Sequence, residues 1–225
     1  MKAKLILSIF VLGLMSSAMA DIVVGDFEGG SWDGWWDAGW GATTAPAEEN
    51  ATVGTWSMKT QTKGWQEIFE MNVSGNPELL AGLSTVGIVT FDVTAEWNVD
   101  EINGYGWAPS VGLLINADGY WNAPVWADGM ITTQGETVSI SLQLPADAMA
   151  AVLAGASGWG SNLGIMASTA GDELSEPDPI TGEQTLLFEG GGTFWIDNIQ
   201  IAPVPEPASL MLLGLGSLSL LRRKR

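Results

Sequence analysis

Val138, Ile140, Leu142 and Leu144 alternate with Thr137, Ser139, Ser141 and Gln143 until Pro145 stops the run. A two-residue period is that of a strand with one face buried and the other wet. Val89, Phe91, Val93 and Ala95 repeat it against Thr90, Asp92 and Thr94; Val111, Leu113 and Ile115, then Leu163, Ile165 and Ala167, follow suit. Further strands are predicted over residues 22–27, 56–62, 65–73, 185–188 and 193–201. Short strands separated by Gly, Pro, Asn and Asp predict an all-β fold: a two-sheet antiparallel β-sandwich. One short helix is expected over residues 147–154, alanine-rich, after Pro145 and stopping before Gly155. The acidic, proline-bearing residues 171–183 read as a loop. In the last strand Phe194 and Ile196 hold one phase while Ile199 and Ile201 hold the other. The register therefore slips at Asp197-Asn198, which predicts a β-bulge there.

Both ends break this pattern. Lys2 and Lys4 precede an apolar stretch from Leu5 to Leu14, and Ala18-Met19-Ala20 supplies the small residues of a signal-peptidase site. Residues 1–20 read as a cleaved signal peptide and the mature chain begins at Asp21. At the other end an apolar run from Ala208 to Leu221 lies between Pro205-Glu206-Pro207 and Arg222-Arg223-Lys224-Arg225. As a helix this run reaches only about 21 Å, short of a hydrocarbon core of about 30 Å. The basic cluster stays cytoplasmic by the positive-inside rule, and the two prolines hold Glu206 in extended chain outside. Residues 21–203 are left as one domain and 204–225 as a sorting and anchor segment.

Composition narrows the chemistry. The sequence has no cysteine and no histidine. Serine- and cysteine-protease arrangements, histidine-based zinc sites and iron–sulfur centres are excluded with them. Residues 21–221 hold Lys59 and Lys63 against all 26 acidic residues, a net charge of 2 minus 26, or −24. So acidic a surface repels phosphates, which excludes nucleic acid and leaves cations, neutral polymers and basic proteins as partners. With 26 acids, carboxylate pairs at glycosidase spacing arise by chance and carry no signal, so no catalytic residue is assigned.

Twelve tryptophans stand against two tyrosines. Trp97, Tyr105, Trp107, Tyr120, Trp121 and Trp126 are interleaved with Asn98, Asp100, Asn103, Asn116, Asp118, Asn122 and Asp128. Aromatic faces rimmed by polar groups suit pyranose rings, whose C–H faces pack on them. Trp97, Tyr105, Trp107, Trp121 and Trp126 are the candidate sugar contacts, with Trp107 and Trp121 foremost; the alternative is that these rings fill the ends of the core. Trp56 and Trp195 fall in core-like strands and are assigned to packing.

Pro205-Glu206-Pro207, the glycine-containing apolar run and the four terminal basic residues, in that order, resemble the PEP-CTERM sorting domain. The resemblance, confined to the tail, implies export by a Gram-negative-type bacterium, transient anchoring in the inner membrane and recognition by an exosortase. Release or attachment at a surface rich in exopolysaccharide would follow. Gly25-Asp26-Phe27-Glu28, then Gly54-Thr55-Trp56-Ser57-Met58-Lys59, then Phe194-Trp195-Ile196-Asp197-Asn198-Ile199 resemble the jelly-roll carbohydrate-binding modules related to galactose-binding-like domains. Val24 replaces an asparagine common there and Met58 a leucine. This second resemblance implies a structural calcium between first and last strands, with Glu28 and Asp197 as carboxylate ligands and carbonyls from the loop near Gly54. A domain rich in Asp and Glu and devoid of Cys and His offers only the oxygen that calcium takes. The alternative is that Glu28 and Asp197 are turn or edge residues with backbone hydrogen bonds.

Three functions remain open: a non-catalytic domain binding extracellular polysaccharide, a structural or adhesive matrix protein that binds no sugar, and a glycan-active enzyme. The first is the expectation, in a protein secreted to the cell surface and processed by signal peptidase and exosortase.

Overall fold

Alternation along β6 (Ile88–Trp97) and β14 (Gly192–Ile201) buries Val89, Phe91, Val93, Phe194 and Ile196 on one side, and these two strands form the middle of the first sheet. The computed structural model describes residues 21–38, 42–99, 109–117, 120–121, 125–155 and 160–202. In the first sheet the order is β10 (Thr137–Gln143), β6, β14, β4 (Ser57–Thr62), β3 (Thr43–Ala47), and β1 (Ile22–Gly25) also pairs with β14. The second sheet runs β2 (Trp35–Asp37), β5 (Trp65–Asn72), β11 (Ser161–Ser168), β7 (Ser110–Ala117), β8 (Tyr120–Trp121), with β9 (Val125–Trp126) also on β7. Pairings in both sheets are antiparallel throughout. The inward faces bury Phe27, Phe69, Phe91, Leu113, Ile115 and Ile165 between the sheets. Phe69 takes Phe27 and Trp35 edge-on, at 6.2 and 5.0 Å between centroids. A separate pair, β12 (Glu173–Leu174) with β13 (Leu186–Phe188), forms the base of an arm across the acidic loop.

The expected helix is present as α2 (Ala146–Gly155), which buries Ala148, Val152 and Gly155 and packs on β7, β11 and the turn Gly82–Val86. That turn is preceded by α1 (Pro77–Ala81), a short helix absent from the periodicity reading. Its signal is in its cap: Pro77 opens the helix, and the Asn76 side chain accepts from Glu78 N at 3.0 Å and Leu79 N at 3.2 Å. The phase slip in the last strand is a bulge. The β14–β6 register shifts between Asp197 and Gln200, and Asn198 has φ 52°. One extra residue there lets Ile196 and Ile199 both face inward.

Candidate functional site

Because strand residues alternate, the same runs that fill the core also build the outward face of the second sheet. On β5, Phe69 and Met71 point in while Glu70 and Asn72 point out; on β11, Leu163 and Ile165 point in while Asn162 and Gly164 point out. Trp35 is buried and its neighbour Trp36 is 38 % exposed, for the same reason. Register then aligns Trp36, Glu70, Gly164 and Leu114 in one row and Asn72, Asn162, Asn116 and position 121 in the next.

These side chains are tied into one chain of hydrogen bonds. Trp36 Nε1 donates to Glu70 Oε1 at 3.1 Å, Asn162 Nδ2 donates to Glu70 Oε2 at 3.2 Å, and Asn72 Nδ2 donates to Asn162 Oδ1 at 2.9 Å. Glu70 is thus held by a ring N–H on one side and an amide on the other, which fixes its oxygens as acceptors on the sheet surface. At the far side of the sheet Trp126 pairs with Gly112 and fills the space a side chain would take: a Cβ on Gly112 would lie 3.0 Å from the ring. Four strand spacings separate β2 from β9, so Trp36 and Trp126 stand about 19 Å apart across the face. Between them Met166 and Leu114 lie on the outward side at 1 % and 3 % exposure, so the chain itself covers the middle of this face. A strip of this kind, with rings at its edges and amide and carboxylate groups along it, can stack C–H faces and accept or donate to hydroxyls.

Of the five aromatic residues expected to contact sugar, Trp126 lies on this face and Trp121 belongs to the same sheet, opposite Asn116. Tyr105 and Trp107 lie outside the described residues. Trp97 is elsewhere: it ends β6 in the first sheet, packs against the core, and its carbonyl accepts from Gln134 Nε2 at 3.0 Å. There it borders a polar cleft of about 530 Å³ with Gln61, Glu96, Asn98 and Gln134. The fold therefore separates Trp97 from Trp126. Sequence reasoning passed over Trp36, Glu70, Asn72, Asn116 and Asn162 as a set; their common strand phase was the available signal. Trp195 is buried at 6 % exposure, as assigned, but against the outer side of the first sheet. Its Nε1 donates to Glu49 Oε2 at 3.0 Å, and Lys59 Nζ sits 5.4 Å from its ring centroid. The Lys59 ammonium, with this indole donor, holds the Glu49 carboxyl below its usual range.

Glu28 and Asp197 meet the same loop, over residues 52–56. Glu28 Oε1 accepts from Thr55 N at 2.7 Å and Trp56 N at 2.9 Å. Asp197, 1 % exposed, accepts at Oδ2 from Thr52 N at 2.7 Å and Val53 N at 2.8 Å, and at Oδ1 from Asn198 N at 2.7 Å. Gly54, at φ 71°, leaves room for the Glu28 carboxylate, into which any Cβ would run. The two acids clamp the loop between the first and last strands. The loop turns N–H groups toward both carboxylates, as in the alternative reading of turn residues with backbone hydrogen bonds, and among the described residues no three acidic side chains converge on one point.

The sorting residues Ala18, Ala20, Pro205, Glu206, Pro207, Arg222, Arg223, Lys224 and Arg225 lie outside the described residues. Among the described residues no helix is long and apolar enough to cross a membrane. Residues 203–225 match the PEP-CTERM protein-sorting motif, which marks the chain as an exported protein. No curated protein matches the chain in sequence. Its structural neighbours are β-sandwich carbohydrate-binding modules. One, from work on the promiscuous specificity of such modules, is 19 % identical over 81 % of this chain and 62 % of its own, TM-score 0.45, so the chain spans less than two thirds of it. A module specific for non-crystalline cellulose, CBM28, is 15 % identical over 81 % of this chain and 94 % of its own, TM-score 0.47. The C-terminal family 22 module of Clostridium thermocellum Xyn10B is 16 % identical over 80 % and 91 %, TM-score 0.43.

Proposed function

We propose that the mature domain, residues 21–203, is a non-catalytic module that binds a neutral extracellular polysaccharide along the outward face of its second sheet. The observation that carries this reading is the hydrogen-bonded row Trp36–Glu70–Asn162–Asn72 facing outward, with Trp126 at the opposite edge of the same face. Affinity electrophoresis against matrix and plant-type glucans and xylans, with Trp36→Ala, Trp121→Ala and Trp126→Ala, tests it. Weaker binding by folded variants supports the face; wild type that binds no glycan transfers the function to a structural or adhesive role. That second reading draws on the buried Trp35 and Trp195, rings already committed to packing.

Export proceeds in this reading by signal peptidase cleavage after Ala20 and by exosortase cleavage near Pro205-Glu206-Pro207, leaving the domain at the cell surface or in its matrix. Mass spectrometry of protein recovered outside the cell should find Asp21 first and no Arg225; an intact Arg225 overturns the processing. Calcium at the Glu28–Asp197 clamp belongs to the same proposal: Glu28, Asp197 and carbonyls of the 52–56 loop would hold it. Its role would be to tie the first and last strands together.

A further inference from the structure

Among the described residues every edge strand of the two sheets but one is blunted. β1 has four residues, with a register break between Val23 and Gly25. β3 carries Pro46, which cannot donate to a further strand. β2 has three residues and ends on Asp37, and β8 and β9 have two residues each. β10 differs. Its seven residues contain no charge, no proline and no glycine, and it pairs residue for residue with β6 from Thr137↔Thr94 to Gln143↔Ile88 with no bulge. Among the described strands β6 is its one hydrogen-bonded neighbour. A regular, uncharged edge presents alternate N–H and C=O groups as a template for another strand.

The sequence of that edge is also self-complementary. Outward from Ile140, Thr-Val-Ser-Ile-Ser-Leu-Gln reads polar, apolar, polar in both directions. Antiparallel pairing of two copies about this residue sets Ile140 opposite Ile140, Ser139 opposite Ser141, Val138 opposite Leu142 and Thr137 opposite Gln143. Every inward residue then meets an inward residue, whereas a slip by one would set buried Ile140 against exposed serine. We propose that β10 is a self-association edge, through which two copies of this chain join their first sheets about a two-fold axis at Ile140. Such an interface is isologous and closed. The axis stands perpendicular to the sheet, so both second sheets lie on the same side of the dimer.

Charge favours this edge over others in a chain of net charge −18. The nearest carboxylate on the outer side is Asp92 of β6, opposite Ser139. Across the dimer the two Asp92 residues are three strand spacings apart, about 14 Å, beyond the screening length of about 8 Å at physiological salt. Glu136, just before the strand, comes opposite Leu144 of the other copy rather than an acid. Long-range repulsion between two acidic bodies remains, so association strengthens with salt.

The lack of cysteine gives a clean test. Directly opposite residues of an antiparallel pair have Cα atoms about 4.5 to 5.5 Å apart, within disulfide reach. Under mild oxidation, an equal mixture of Ser139→Cys and Ser141→Cys exported protein should crosslink at least tenfold faster than either variant alone. Sedimentation should show a reversible dimer, strengthened by salt and weakened at least tenfold by Ser141→Asp, an exposed position where folding is retained by circular dichroism. A wild type that is monomeric at every concentration and salt overturns the proposal. So does a dimer indifferent to Ser141→Asp, or crosslinking equal in the mixture and the single variants.

Discussion

Trp35 and Trp36 are chemically identical neighbours with opposite assignments, decided by which side of a three-residue strand each occupies. Trp35 is 3 % exposed, donates from Nε1 to Val24 O at 2.7 Å and packs edge-on to Phe69. Removing that ring leaves a cavity and an unmade hydrogen bond, so Trp35→Ala should cost about 3–5 kcal/mol of stability. Trp36 touches the core little and holds Glu70 from outside. Trp36→Ala should leave the melting transition nearly unmoved and weaken glycan binding roughly fivefold, the worth of about 1 kcal/mol for a stacking ring at the rim of a contact. Chemical denaturation and affinity electrophoresis on both variants separate the roles; equal loss of stability in both would remove Trp36 from the binding face.

At the scale of elements, the loop over residues 52–56 depends on acids from two distant strands. Asp197→Ala would remove the buried carboxylate that accepts from the amides of Thr52, Val53 and Asn198 at the edge of the solvent-exposed loop, a loss of about 2 kcal/mol for hydrogen bonds to a charged acceptor. Calcium adds a second, separable expectation. A ligand bound only by the native state stabilises it by about 2.7 kcal/mol at a hundredfold excess over Kd. Melting of wild type should rise in calcium relative to chelator, and Asp197→Ala should abolish the difference; a difference that survives removes Asp197 from the ligands. Much at this scale was legible in sequence. The bulge that positions Asp197 follows from the phase of four apolar residues, and strands such as β6 and β10 follow from strict alternation. β3 was not, because Thr-Thr-Ala-Pro-Ala has no apolar alternation and its proline argues against a strand. Nor was the chain Trp36–Glu70–Asn162–Asn72 visible, since its partners lie 34 to 92 residues apart in sequence and meet only through sheet order. The aromatic count drew attention to residues 97–126, while strand order divides the described rings there between two sheets.

For the whole molecule, the field decides which polymers approach. Residues 21–221 carry −24, two lysines against 26 acids. The two lysines are themselves neutralised locally, Lys59 by Glu49 at 2.6 Å and Lys63 by Asp172 at 2.9 Å. No free cationic patch offsets the acids among the described side chains. The outward face of the second sheet adds Glu70 to that field, so an anionic chain meets repulsion at long range and at the site. A neutral polysaccharide meets neither, and its affinity should be nearly independent of salt because stacking and hydroxyl hydrogen bonds are not screened. An acidic polysaccharide of similar backbone should bind at least tenfold more weakly at low ionic strength and recover as salt or divalent cations screen both partners. Affinity electrophoresis of the exported protein against matched neutral and uronate-bearing polymers over a salt series measures both trends. Tighter binding of the acidic polymer at low salt would overturn the assignment of a neutral ligand and locate recognition away from Glu70.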